Sequence, residues 1–231
     1  MTRLALCALL FAAAPGGFAT PGPQEAAPPA EQPTTRPVAR ITVDTAKAPE
    51  LAEYGRKVQA LADEWYPKIA DLLPSDGFAP TPEVTITFTP EYDGVAAAAG
   101  NRIVCNPKWF TDHPEDLGAI VHELAHVVQQ YGRGRRPGWL VEGIADHVRF
   151  YHYEPEHARP RRLDPDRVNY DDSYRVSAAF LEWARATHDP DLVVALNAAC
   201  RQGRYHPGLW RERTGKDLAE LNAEWKQSLR R

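Results

Sequence analysis

His122-Glu123-Leu124-Ala125-His126 puts two imidazoles four residues apart, and Glu142 and Asp146 follow sixteen and twenty residues after the second. On a helix, side chains at i and i+4 project from one face, one turn apart, so both imidazoles can reach a single zinc ion. Glu123 falls on the edge of that face, beside the metal, where a general base for zinc-bound water has to sit. A bare motif of this kind also arises by chance, as a pair of hydrogen-bonded core histidines. The surrounding residues must decide.

The elements that position the motif favour the metal. From Pro114 to Gly132 the chain reads as one helix: proline and acids open the first turn, apolar residues fill the body, and glycine closes it. Ile120, Val121, Leu124, Ala125, Val127 and Val128 lie almost all round it, which predicts burial, and buried histidines need partners. A second helix is expected over Trp139 to Phe150. It carries Glu142 and Asp146 four apart on one face, where like charges repel by a few tenths of a kcal/mol. Among apolar neighbours, such a pair implies a nearby cation. Glu142 is expected as the third protein ligand, leaving the fourth position to water. Asp146, one turn on, is expected to accept the free ring N–H of a ligand histidine, His122 by preference, and so fix its tautomer. The bland alternative has Glu142 merely favouring its helix N-terminus and Asp146 solvated.

His-Glu-Leu-Ala-His-Val-Val-Gln from His122, Gly138-Trp-Leu-Val-Glu-Gly-Ile-Ala-Asp-His-Val-Arg149 and Tyr174-Arg-Val-Ser-Ala-Ala-Phe-Leu-Glu-Trp183 together carry a resemblance. The chain resembles the plant basic secretory protein family and its bacterial relatives, gluzincin-type zinc metallopeptidases, from about residue 40 to the C-terminus. The Glu142-Gly-Ile-Ala-Asp146 block is its most specific piece. The resemblance implies secretion, a zincin-like fold and peptide hydrolysis. It also implies a role for Tyr174 as the donor that stabilises the oxyanion, because the family places a tyrosine before its Ala-Phe-Leu helix. On the residues alone, Tyr131, Tyr170 and His206 remain alternatives. His147 departs from the family, where an aromatic residue is expected, and so does the charge, since this chain is not basic.

Residues 1–19 read as a signal peptide: Arg3, an apolar run to Ala14, then small residues at Gly17 and Ala19. The run is too short to span a bilayer. Leu6 before Cys7 is too bulky for a lipidation site, so no stable membrane anchor is expected. Residues 20–39, rich in Pro, Ala, Gln and Glu, read as a disordered linker; a short propeptide is the alternative. The rest, residues 40–231, suits one domain with a substantial core. The whole chain has 27 basic and 31 acidic residues, and losing Arg3 with the leader leaves 26 against 31. That balance argues against nucleic acid or anionic membrane as partner. Cys105 and Cys200 could form one disulfide or remain free and buried.

Short strands are expected at Arg40 to Val43 and Val84 to Thr89, with a hairpin of Val95 to Ala99 and Arg102 to Asn106 turning at Gly100-Asn101. Pro49 to Leu73 predicts a long helix with Leu51, Tyr54, Val58, Leu61, Trp65, Ile69 and Leu72 in the core. Helices are expected again at 174–186, 191–201 and 217–229, with Trp183, Leu192, Leu196, Leu218, Leu221 and Trp225 building a helical second half. Strands first and helices after define an α+β class: a small mixed sheet with an edge hairpin, the HExxH helix, then the helical half. The alanines of 95–99 are unusual for a strand. Either they leave an edge approachable by an extended peptide, or they fit beneath Trp109 or Phe110. His147, His152 and His157 do not share a helix face and read as surface or hydrogen-bonding histidines.

The expected protein is a secreted or periplasmic zinc peptidase, monomeric, acting on a peptide or protein substrate. His122, His126 and Glu142 would hold Zn²⁺ and Glu123 would move the proton. The same site would serve an amidase of cell-wall peptides. A non-catalytic zinc-stabilised binding protein would keep the histidines without needing Glu123.

Overall fold

The computed structural model describes residues 39–132, 134–158 and 163–230. The expected leader and, but for Ala39, the linker lie outside these residues. Four strands form one sheet in the order β1-β2-β4-β3: β1 (Arg40–Asp44), β2 (Glu83–Phe88), β3 (Ala96–Ala99) and β4 (Arg102–Cys105). β1–β2 and β2–β4 are parallel, whereas β3 pairs antiparallel with β4 and ends the sheet. Parallel neighbours need a crossover. Between β1 and β2 it is α1 (Ala52–Leu72). Alternation in β2 sends Val84, Ile86 and Phe88 into the core. Ala99 and Arg102 pair across Gly100-Asn101, with positive φ (63°) at Gly100 and not at Asn101, as a type II′ turn requires.

The buried face of α1 differs from the expected one. Tyr54, Val58 and Ile69 are buried as expected, but Ala62 and Tyr66 join them while Leu61, Trp65 and Leu72 are only half-buried. Small Ala62 lets the helix sit close, and bulky Trp65 turns aside to meet Tyr153 edge-on at 5.0 Å. The two described cysteines, Cys105 and Cys200, are free and buried, so the disulfide alternative is not realised.

The HExxH helix, α3 (Gly118–Gln129), starts later and ends sooner than its sequence signature suggests. Pro114 to Leu117 form turns instead of a first helical turn, and the Asp116 carboxylate accepts the Ala119 N–H at 3.2 Å. At the other end Gln130, not Gly132, turns left-handed (φ 44°), and the Arg201 guanidinium accepts the role of cap by donating to the carbonyls of Val128 and Gln129. A short helix not expected from sequence, α2 (Pro107–Asp112), precedes it. α4 (Gly138–Val148) runs into a π-helical turn over Arg149–Tyr153. Then come α5 (Tyr174–Thr187), α6 (Leu192–Arg201), the unanticipated α7 (Leu209–Thr214) and α8 (Leu218–Ser228). The chain is thus α+β, a small sheet followed by a mostly helical half. Leu192, Leu196, Leu221 and Trp225 are buried there, with Trp183 and Leu218 packed at the rim. Trp210 of α7 is buried against Trp139 and Phe180. No helix among the described residues is long and apolar enough to cross a membrane.

One contact sets where α4 lies. A Cβ on Gly143 would come within 2.8 Å of Ser177 Cβ and 3.2 Å of Leu181 Cδ1, so only a glycine lets α4 rest this closely on α5. Gly143→Ala gains up to about 1 kcal/mol of helix propensity but overpacks a tight contact at a cost of about 1–3 kcal/mol. A lower melting temperature is expected; a variant melting above the parent would show that the contact is not tight.

Candidate metal centre

α3 carries the first three residues of the site. It is buried all round, with Ile120, Val121, Leu124 and Val128 fully inside, so its polar side chains must find partners within the protein. α4 crosses alongside and brings Glu142. His122 Nε2 and His126 Nε2 face each other at 3.0 Å, and each lies 3.2 Å from Glu142 Oε2.

The outer ring nitrogens decide what those inner atoms are. His122 Nδ1 lies 2.7 Å from Asp146 Oδ1. A carboxylate only accepts, so Nδ1 is the donor. His126 Nδ1 lies 2.8 Å from Gln129 Oε1, and the Gln129 amide nitrogen donates to the Val141 carbonyl at 2.9 Å. That second bond orients the amide, so His126 also donates from Nδ1. In their neutral forms both rings then turn bare lone pairs inward, towards a carboxylate oxygen. Three acceptors with no donor among them repel unless a cation sits between them.

The cluster draws positive charge accordingly. Burial opposes protonation of His122, but Asp146 and Glu142 hold its pKa up at about 9. Burial likewise lifts the Glu142 carboxyl, yet hydrogen bonds from His122 and His126 bring it down to about 2. A proton is the cation water supplies; a divalent ion satisfies all three atoms at once. Ligand atoms 3.0 to 3.2 Å apart fit the spacing of roughly 3.3 Å about a tetrahedral ion with bonds near 2 Å. Among the described residues these three form the one His/Cys/Asp/Glu group able to share an ion.

Glu123 is buried beside the cluster. Burial raises its pKa, with His122, His126 and a hydrogen bond from the Ala98 backbone N–H acting against that rise. The Ala98 bond follows from strand register. The Asn106 N–H donates to the Val95 carbonyl at 3.0 Å, so alternate residues 97 and 99 face β4 while 96 and 98 face outward. The outer edge of the alanine strand therefore borders the cluster directly. Its Ala98 N–H is turned towards the Glu123 carboxylate.

Tyr174, at the start of α5, is 55% exposed, and its ring lies nearly parallel to that of His122 with centroids 6.2 Å apart. Glu142 foremost, then burial, raises its pKa. The alternatives are engaged elsewhere: the Tyr131 hydroxyl donates to Asn197 at 2.9 Å, Tyr170 packs on Trp139 and Phe180, and His206 lies near Glu212. His147 is buried and bonded to Glu182 at 2.8 Å, whereas His152 and His157 are exposed. Gln129 escaped the sequence reading. Its signal was its position, three residues past His126 on the same helix, where a long side chain can fold back onto the imidazole.

A buried helix carrying both histidines, crossed by a second that supplies a carboxylate, brings three potential metal ligands together. The chain matches the family of peptidases of plants and bacteria, the basic secretory protein family, over residues 35–225, and belongs to it. No curated protein and no solved structure gives a match.

The outer hydrogen bonds generate a measurable expectation. Asp146→Asn and Gln129→Leu should each weaken metal affinity by roughly 10–100-fold, as loss of a ring's supporting partner does. Competition against a chromophoric chelator reads this out. Parental affinity in both variants would mean that the two rings are held by other contacts.

Proposed function

We propose that this protein is an exported zinc-dependent peptidase, zincin-like in fold, with His122, His126 and Glu142 as the metal ligands and Glu123 as general base. The observation that carries the proposal is the convergence of three acceptor atoms from two helices, with a buried carboxylate next to them. Nitrogen and oxygen donors without sulfur suit a catalytic zinc site. When bound, zinc would polarise the scissile carbonyl and bring the pKa of a water molecule to about 7.

The chain's own residues have distinct parts. Glu123 takes a proton from the attacking water and returns it to the leaving amine, a role its raised pKa and its anchor on Ala98 support. Tyr174 donates its hydroxyl hydrogen to the oxyanion, supported by its place beside His122 at the open side of the cluster. Asp146 and Gln129 keep the imidazoles in one tautomer. The outward edge of β3 offers an extended peptide main-chain hydrogen bonds, including the Ala98 carbonyl. Residues 1–19 support export to the periplasm or the exterior.

A purely structural zinc site is closed by four protein ligands. Among the described residues three converge here, which favours catalysis over a zinc-stabilised binding protein.

Glu123→Gln should keep stoichiometric zinc and lose nearly all turnover, since an amide cannot take the proton. Glu142→Ala should lose the metal. Peptide hydrolysis followed together with elemental analysis separates the two. A Glu123→Gln enzyme that still cleaved peptides at the parental rate would remove Glu123 from the mechanism.

A further inference from the structure

The cleft that exposes His126 and Glu142 continues past the end of α3. It encloses about 620 Å³, and Gln130, Tyr131 and Arg136 form its far wall. A space of this size accepts a ligand group rather than a few waters. Arg136 is the one arginine or lysine among its described lining residues.

Arg136 is held firmly but not neutralised. Its Nη1 donates to the carbonyls of Gly132 at 2.7 Å and Gly134 at 3.2 Å, and its Nη2 donates to that of Tyr131 at 3.3 Å. Carbonyls fix the fork in place without cancelling its charge, and no carboxylate among the described residues pairs with it. Arg149 and Arg185 differ, each lying against carboxylates of Asp116, Glu154 or Glu182. A guanidinium has five N–H donors. Three bonds leave Nε and one Nη2 hydrogen for a ligand.

Gln130 supplies an independent sign. It is the one non-glycine among the described residues with positive φ (44°), directly after the last residue of α3. Glycine is the usual residue at such a helix end because it has no Cβ to strain. Here a glutamine stands in that position, exposed and facing the same cleft as Arg136. A helix stop alone gives no reason for an amide side chain there. An amide donor lining the same cleft as a guanidinium that no described carboxylate pairs with can serve, together with it, the two oxygens of a carboxylate.

We infer that Arg136, with Gln130 lining the same cleft, forms a subsite for a carboxylate of the substrate in the cleft onto which His126 and Glu142 of the cluster open. This rests on the peptidase reading of that cluster. The carboxylate is either an acidic side chain or the C-terminal group of the peptide. The inference makes the protein selective for acidic peptides or for cleavage near a free C-terminus. Arg136 and Gln130 are specificity residues, apart from the groups that move protons.

Binding to the zinc-loaded Glu123→Gln protein tests this without turnover. Labelled peptides are compared in pairs by fluorescence anisotropy: Asp or Glu against Asn or Gln within the sequence, and a free C-terminus against an amidated one. The charged member of one pair should bind at least about tenfold more tightly, as charge-assisted hydrogen bonds warrant. The pair that shows it identifies the source of the carboxylate. Adding Arg136→Gln should abolish the preference while zinc content stays stoichiometric, and Arg136→Lys should retain only part of it. In the otherwise parental enzyme Arg136→Gln should raise KM for the preferred peptide about tenfold and leave kcat near the parental value. An arginine that only ties its loop together would lower melting temperature and weaken both members of a pair alike. Equal binding within both pairs, a preference that survives Arg136→Gln, or no peptide binding at all overturns the inference. Should Arg136→Gln fail to fold, the Arg136→Lys ratio decides. Parental protein that cleaved no peptide, with zinc bound, would instead overturn the peptidase reading.

Discussion

Two imidazole nitrogens and a carboxylate oxygen, all acceptors, point at one spot inside the protein. Each buried acceptor left without a partner costs about 1–3 kcal/mol, and bringing three together adds their mutual repulsion. The arrangement persists because the far sides of the rings are tied down by Asp146 and Gln129. Those outer bonds keep either ring, in its neutral form, from turning a donor inward. A cation between the three atoms would relieve that cost, which would couple folding to cation binding through the same few atoms.

Much of the surrounding fold serves to hold two helices in register. α3 carries the histidines and is packed on nearly every side, with His126 half-buried at the cleft. α4 must pass close enough for Glu142 to reach both, and Gly143 makes that approach possible by letting α4 settle on Ser177 and Leu181 of α5. Arg201 of α6 caps the carbonyls at the end of α3, so the helical half also fixes the helix that bears the motif. On the opposite side, the edge strand β3 comes near enough for Ala98 to hold Glu123. Sheet and helices thus meet at the Glu123 carboxylate.

The local parts of this arrangement were legible in the sequence. Helical spacing alone places His122 and His126 on one face, and the like charges of Glu142 and Asp146 among apolar residues single out the helix that meets them. The bond of Asp146 to His122 follows from the same reasoning. The alternation of β2 and the Gly100-Asn101 turn are local signals too. Long-range geometry was less accessible. Gln129 looks like the polar end of an apolar helix until Val141 orients its amide. The signature from Pro114 to Gly132 overran α3 at both ends because Asp116 and Arg201, one of them remote in sequence, define its ends. The buried stripe of α1 rotated towards Ala62 and Tyr66 because periodicity reports a face but not the shape of what packs against it. α7 is too short to announce itself, and Trp210 is buried by aromatic neighbours from distant segments.

X-ray absorption at the zinc edge, on protein purified without chelator, addresses the central claim most directly. The account predicts one zinc per chain, two imidazole nitrogens and oxygen ligands at about 2.0–2.2 Å, and no sulfur. Zinc bound through sulfur, or protein that takes up no stoichiometric metal while keeping its fold, would contradict it.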